Sequence, residues 1–330
     1  MALYLCGRAA LDVMRYLRAT NDGEIPGTPA RPRRLGNALH TNRQLNELGE
    51  EAQRLLAHIN GKVEALVPKP EQVTRTSRLE THLWSHAIPR GSFIDLGNGI
   101  YLSSPAFLFM QMATELGEVE LILLGLELCG SYSFWRLPSP FGATRDDDLS
   151  DVTYELRPAL TAANLKAFVA RMSGTRGAVG ARKALPYVID NSASPMESAV
   201  YLLLCLPRHL GGRGLPAPLF NVKVNVTTST TSTCRYPDLY WPVRAVDVEY
   251  QSDQDHSGNW ARYQDARRQV ELEAENVAVL PLTRHQVMDA SEFNAFATTV
   301  RRMLGVRSRP LPSDWEWRYD NLRRTVLGIR

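Results

Sequence analysis

Asp238 and Glu249 are separated by ten residues that read as strand, turn and strand. Asp238-Leu-Tyr-Trp241 has the aromatic and aliphatic content of a short strand, Pro242-Val-Arg-Ala245 the make-up of a turn, and Val246-Asp-Val-Glu-Tyr-Gln251 that of a second strand. The period of two puts Asp247, Glu249 and Gln251 on one face and Val246, Val248 and Tyr250 on the other. A hairpin closed at the turn sets Asp238 and Glu249 near the open ends of adjacent strands, on elements rigid enough to hold a divalent cation. Carboxylate oxygens suit a hard cation such as Mg²⁺, and phosphodiester hydrolysis needs a cation to polarise the phosphoryl oxygen and activate a water. Gln251, two residues beyond Glu249 on the same face, is placed to orient that water.

A third carboxylate precedes this pair. Ser194-Pro195-Met196-Glu197 is a capping box with proline at the first helical position, so a helix starts here. Met196, Ala199, Val200, Leu203 and Leu204 form its apolar stripe, and at 100° per residue Glu197 falls beside Leu204, on the edge of that stripe. Capping alone accounts for a glutamate at this position; a role in metal or water positioning depends on the partners that follow.

The elements that must hold these residues belong to a chain of 330 residues, 44% hydrophobic and 22% charged, enough for about two domains with real cores. This composition excludes a disordered or collagen-like chain. Net charge is +3, and of 38 basic residues only five are Lys. Such an Arg bias suits phosphate binding, although codon bias produces it as well. The longest apolar run, Val119 to Leu128, is broken by Glu120 and Glu127, so no membrane span is expected. The amino terminus lacks a secretory pattern, and Cys6, Cys129, Cys205 and Cys234 are too scattered for a zinc or disulfide framework. Both features fit a reducing cytoplasm, with the cysteines packed in cores.

Three regions follow. Residues 1–75 read as helical, with helices over Arg8 to Arg18 and Asn42 to Ile59 around a Pro/Gly-rich loop. Residues 76–190 read as an α+β domain. It has a hairpin about Asn98-Gly99, apolar helices over Ala106 to Leu116 and Glu118 to Cys129, and a basic connector. His82 and His86, with Trp84 between them, read as a His-x-x-x-His face that packs rather than binds metal, there being no acidic third ligand nearby. From Thr161 to Ile189 the chain carries Lys166, Arg171, Arg176, Arg182 and Lys183 and no Asp or Glu, with Gly174, Gly177 and Gly180 loosening its middle. A phosphate backbone or plain solvent suits this run equally well. Residues 191–330 hold the carboxylates. Tyr236, Tyr240, Trp241, Tyr250 and Trp260 surround them, as stacking surfaces for bases or, for Trp241 in particular, as core. Thr227 to Thr233, all Ser and Thr, reads as a polar hairpin tip.

Pro237-Asp238 followed after ten residues by Glu249-Tyr250-Gln251 resembles the PD-(D/E)XK nuclease superfamily. More closely, the last 140 or so residues resemble the endonuclease-like domains related to very short patch repair endonucleases. The order of elements carries this likeness: Glu197, Asp238, Val248-Glu249-Tyr250-Gln251, His256, Asp265-Ala-Arg-Arg268 with Leu272, and a strand at Val277-Ala-Val-Leu280. The resemblance implies an α/β fold whose carboxy-terminal part is restriction-endonuclease-like, a mixed sheet flanked by helices. It also implies DNA cleavage with Mg²⁺ on Asp238, Glu249 and Glu197. Gln251 replaces the usual lysine and lacks the ammonium that would stabilise the transition-state oxyanion. His256, whose unperturbed pKa lies near neutrality, is a candidate replacement acid or base, or else a loop histidine bonded to Asp253 or Asp255. Arg268 either braces Asp265 or contacts phosphate.

Tyr101-Leu-Ser-Ser-Pro-Ala-Phe and Glu127-Leu-Cys-Gly-Ser-Tyr132 resemble AbiEi-like antitoxin and regulator proteins, over about residues 75–185. This likeness implies nucleic-acid recognition and a toxin or antitoxin partner. With Gln251 it sustains the alternative of a non-catalytic, nucleic-acid-binding regulator of antitoxin type that keeps a nuclease-like fold.

Overall fold

The computed structural model describes residues 1–30, 34–135, 151–227, 232–251 and 277–329. It divides the chain into two units, Met1–Val188 and Ile189–Arg330. Both are built of helices on mixed sheets, so the protein is of the α/β class.

The amino-terminal unit comprises β1 (Leu3–Leu5), α1 (Gly7–Thr20), β2 (Thr28–Ala30), α2 (Asn42–Asn46), α3 (Glu50–Leu56), β3 (Val63–Val67), β4 (Leu79–Leu83), β5 (Phe93–Asp95), β6 (Ile100–Ser103), α4 (Pro105–Met112), α5 (Glu118–Cys129), α6 (Ala162–Arg171) and α7 (Ala178–Ala184). Its sheet runs β2-β5-β6-β1-β3-β4, with β1 parallel to β6 and β3 parallel to β4. Residues 1–75 are therefore no separate helical region. Their strands β1, β2 and β3 are completed by β4, β5 and β6, and none of them has its hydrogen-bonding partners without the others.

Several local expectations are met. The β5–β6 hairpin turns through Gly97, Asn98 and Gly99, all at positive φ. Ser104 caps α4, and α5 ends at Gly130. Others are corrected. The helix expected over Asn42 to Ile59 is two short helices, because Thr41 caps the first and the chain re-enters helix only after Gly49. His82 lies in strand β4, where i and i+4 do not share a helical face, and Trp84 packs edge-on against Phe107 at 5.0 Å. The basic run is not a connector either, since α6 and α7 pack within this unit against α4 and α5. Two of its three glycines, Gly177 and Gly180, sit against neighbouring backbone. Gly177, at φ +88°, lies where a Cβ would strike the Met110 carbonyl, and at Gly180 a Cβ would come within 3.0 Å of the Ala113 carbonyl.

A buried ion network fixes α1 to α5. Glu127, 1% exposed, receives Arg15 Nε at 2.9 Å and Arg15 Nη2 at 2.6 Å, and also accepts from Ser133 Oγ and Phe134 N. Arg18, equally buried, donates to the carbonyls of Glu127, Gly130 and Arg157. Burial alone would push the Glu127 carboxyl up, but Arg15, then Arg18 and the Phe134 N–H, hold it below the ordinary carboxylate range.

The carboxy-terminal unit comprises α8 (Pro195–Cys205), β7 (Leu219–Phe220), β8 (Val224–Thr227), β9 (Ser232–Arg235), β10 (Leu239–Trp241), β11 (Val246–Gln251), β12 (Ala278–Thr283), α9 (Arg284–Met288), α10 (Ala290–Met303) and α11 (Trp315–Leu327). Its main sheet runs β7-β10-β11-β12, antiparallel except for the parallel β11–β12 pair, and β8 with β9 forms a separate ribbon. Helix α8 is buried from Pro195 to Leu204 rather than along one stripe, as a helix covered on all sides must be. Trp241 is core, 4% exposed, with Nε1 donating to the Pro216 carbonyl at 2.7 Å. Cys234, by contrast with Cys6 and Cys129, is exposed on the two-stranded ribbon. Among the described residues no helix is long and apolar enough to cross a membrane.

Candidate functional site

Strands β10 and β11 pair with Leu239 opposite Val248, Tyr240 opposite Asp247 and Trp241 opposite Val246. Continued by one residue, this register sets Asp238 opposite Glu249. On the other side of β10, Leu239 faces Phe220 and Tyr240 faces Leu219; the ladder ends there, and Asn221, next in the chain, donates its N–H to the Pro237 carbonyl at 3.0 Å. Across β11, Glu249 is paired with Pro281. Residues directly opposite one another share a face, with Cβ atoms ~5 Å apart in antiparallel pairs. Asp238, Glu249 and Pro281 thus form one row across the sheet, with Asp247 and Gln251 on the same face of β11.

Hydrogen bonds to side chains hold Asp238 and Glu197 in place. Tyr250 N donates to Asp238 Oδ2 at 2.8 Å, holding that carboxylate against the strand that carries Glu249. Asn221 Nδ2 donates to Glu197 Oε2 at 2.8 Å and to the Asn191 carbonyl at 3.0 Å. Asn221 has φ +46°, a conformation that asparagine tolerates better than most residues. Glu197, 6% exposed, also accepts from Ala193 N at 3.0 Å, while its own N–H donates to Ser194 Oγ at 3.0 Å. The side-chain half of the expected capping box is thus redirected one residue upstream, from Ser194 to Ala193. Burial pushes the Glu197 carboxyl up, the donors from Ala193, Asn221 and Ser194 pull it down, and the charge of Glu249 pushes it up again, for a net upward shift. Glu197 is accordingly within the field of Glu249.

The structure gathers Glu197, Asp238 and Glu249 in one unit. Gln251 closes β11 opposite Thr283. His256, Asp265, Arg268, Leu272 and Trp260 lie outside the described residues, as do most of the Ser/Thr tip and the segment about Pro138-Ser-Pro140. Lys166, Arg171, Arg176, Arg182 and Lys183 belong to the other unit, where all five are exposed on or between α6 and α7. Arg171 lies over the Phe168 ring at 5.5 Å and Arg182 Nε donates to the Ala178 carbonyl. None of the five is paired with a carboxylate among the described residues, whereas Arg8, Arg43, Arg54, Arg75 and Arg157 of the same unit all are.

Sequence reasoning passed over Asn221 and gave Asp247 no role of its own. Strand β7 has two residues, too few for a period-two signal, and an asparagine beside a glutamate twenty-four residues earlier leaves no local pattern. Asp247 is fully buried on the carboxylate face, next to Glu249.

Among the described residues no three His, Cys, Asp or Glu side chains converge as a ligand cluster. Among the described residues a zinc or calcium cage of protein ligands does not fit. Mg²⁺ is different: it keeps several waters and takes one or two carboxylates, with substrate phosphates filling other positions. The all-oxygen pair Asp238 and Glu249 fits that requirement. Glu197, with Oε2 engaged by two donors, fits a supporting position. The fold and site define a two-unit α/β protein whose second unit presents a carboxylate row on a mixed sheet. No family model, no curated protein and no solved structure matches this chain.

Proposed function

We propose that the carboxy-terminal unit is a metal-dependent phosphodiesterase acting on DNA, an endonuclease or nickase of PD-(D/E)XK type. The observation that carries this reading is the cross-strand placement of Asp238 opposite Glu249, fixed by the Tyr250 N–H. The order of helix α8, three antiparallel strands and a final parallel strand supports it as the frame of such a core. Mg²⁺ held by Asp238 and Glu249 would supply charge neutralisation at the phosphoryl oxygens and a lowered water pKa. The chain's own residues do the rest. Asp238 is oriented by backbone, Glu197 is oriented by Ala193 and Asn221 and supports the pair, and Gln251 supplies an amide for positioning water.

The second reading is a DNA-binding regulator of antitoxin type. Gln251, neutral where a nuclease of this type carries lysine, favours it, as do the unpaired basic residues of α6 and α7. Cleavage of plasmid DNA by the full chain separates the two. Under the nuclease reading, Mg²⁺-dependent cleavage falls by orders of magnitude in Asp238→Ala and Glu249→Ala while DNA binding persists. Binding without metal-dependent cleavage in the unaltered protein supports the regulator.

A further inference from the structure

The β10–β11 hairpin has a second end. Its turn, Pro242-Val243-Arg244, is exposed, and Val243 is 93% exposed, the most exposed large apolar side chain among the described residues. Arg244 is the only charge between Leu239 and Val246. Its guanidinium lies against Gly305, at the end of α10, where a Cβ would come within 2.9 Å of Nη2. That glycine, at φ +67°, both closes the helix and leaves room for the arginine. Arg301 and Arg302 form the last turn of α10, and Arg307 follows Gly305 by two residues. From Phe293 to Ser313 the chain carries four arginines and no Asp or Glu. None of Arg244, Arg301, Arg302 and Arg307 is paired with a carboxylate among the described residues. The helix dipole accounts for Arg301 and Arg302. It does not account for Arg244 on another element, or for Arg307 beyond the helix.

We infer that Arg244, Arg301, Arg302 and Arg307 form a phosphate-contacting surface for nucleic acid at the hairpin tip, with Val243 against the sugar or base edge between them. The charge balance of the unit argues for this occupant. A polyanion approaching the carboxylates of Asp238 and Glu249 is repelled by them, so attraction has to come from elsewhere, and these arginines lie on the same unit. Four strand residues at ~3.3 Å each separate Ala245 from Glu249, about 13 Å. One nucleic-acid strand spans that distance with a few nucleotides. Guanidinium forks match phosphate oxygens bidentately. The inference takes its polyanion from the proposed function, but its test uses binding alone.

The measurement is fluorescence anisotropy of a labelled 30-base-pair DNA duplex titrated with full-length protein in chelator, repeated from 50 to 300 mM salt. Without metal, failure of the cleavage reading leaves this result untouched. Replacing all four arginines by alanine is expected to reduce the steepness of log K against log salt by about 3.6, at about 0.9 per lost phosphate contact. The corresponding Arg→Lys variant keeps most of that slope, because lysine still neutralises phosphate as a point charge. Val243→Glu, which sets a like charge among the phosphates, weakens binding without altering the fold, as checked by circular dichroism. An unchanged slope in a folded alanine variant overturns the inference. So does loss of binding to polyglutamate with DNA binding intact, which would assign the surface to an acidic protein.

Discussion

Tyr250 donates its backbone N–H to Asp238 Oδ2 at 2.8 Å, so the residue that follows Glu249 also holds the carboxylate facing Glu249. Asp238 therefore has a structural task separable from its charge. Asp238→Asn keeps an oxygen acceptor for that N–H and is expected to change stability by less than about 1 kcal/mol, whereas Asp238→Ala removes the acceptor and costs about 1–3 kcal/mol. Urea unfolding of the two variants in parallel checks the difference. Equal losses would mean that the hydrogen bond contributes nothing to the hairpin.

The Glu127 network gives a pH dependence with a definite sign. Glu127 is held below its ordinary range by Arg15 and Arg18 against the cost of burial. Its contribution to stability is complete above the unfolded carboxylate pKa, about 4.3, and is lost as pH falls through the lower folded value. Glu127→Gln leaves Arg15 and Arg18 facing a neutral group. Because the Arg15 side chain keeps 24% exposure, the expected cost lies at the low end for a broken buried pair, about 3 kcal/mol near neutrality. Thermal unfolding from pH 7 to pH 3 should show the variant less stable at pH 7 and less sensitive to acid than the unaltered protein. Parallel curves would contradict the assignment.

Two glycines in the basic run test whether α6 and α7 belong to the core of their unit. Both Gly174 and Gly177 have positive φ, but a Cβ at Gly174 meets nothing within 4 Å, while at Gly177 it meets the Met110 carbonyl. Gly174→Ala is expected to cost about 1 kcal/mol, the price of the left-handed backbone alone. Gly177→Ala adds a backbone clash and should cost upwards of about 3 kcal/mol. Denaturant midpoints decide it. Equal small effects would restore the picture of a loose linker.

Much of the local structure was legible because its signals are local. Ser104-Pro105 opens α4, Asn98-Gly99 turns a hairpin, and the alternation Val246 to Gln251 is a strand with its acidic residues on one face. What could not be read was set by partners distant in sequence. Strand β1 pairs with β6, nearly a hundred residues away, so a segment that reads as helical supplies three strands, on both sides of β5 and β6, to a six-stranded sheet. Gly177 and Gly180 of the basic run lie against Met110 and Ala113, contacts that no local pattern encodes. In the site, Asp238 and Glu249 were legible as a hairpin pair. Asn221, which orients Glu197, was not, because its role exists only once β7 lies beside β10.

The central claim, that Asp238 and Glu249 act together on one cation in phosphodiester cleavage, is tested most directly by a double-substitution cycle. Single-turnover cleavage of plasmid DNA in Mg²⁺ would be compared for Asp238→Asn, Glu249→Gln and the double variant. Each single change is expected to lower the rate at least about a hundredfold, since several kcal/mol of charge stabilisation depend on the cation. The double variant should be no slower than the slower single one, as expected of groups that act as a unit. Unchanged rates in the single variants, or losses that multiply in the double one, would contradict a shared site.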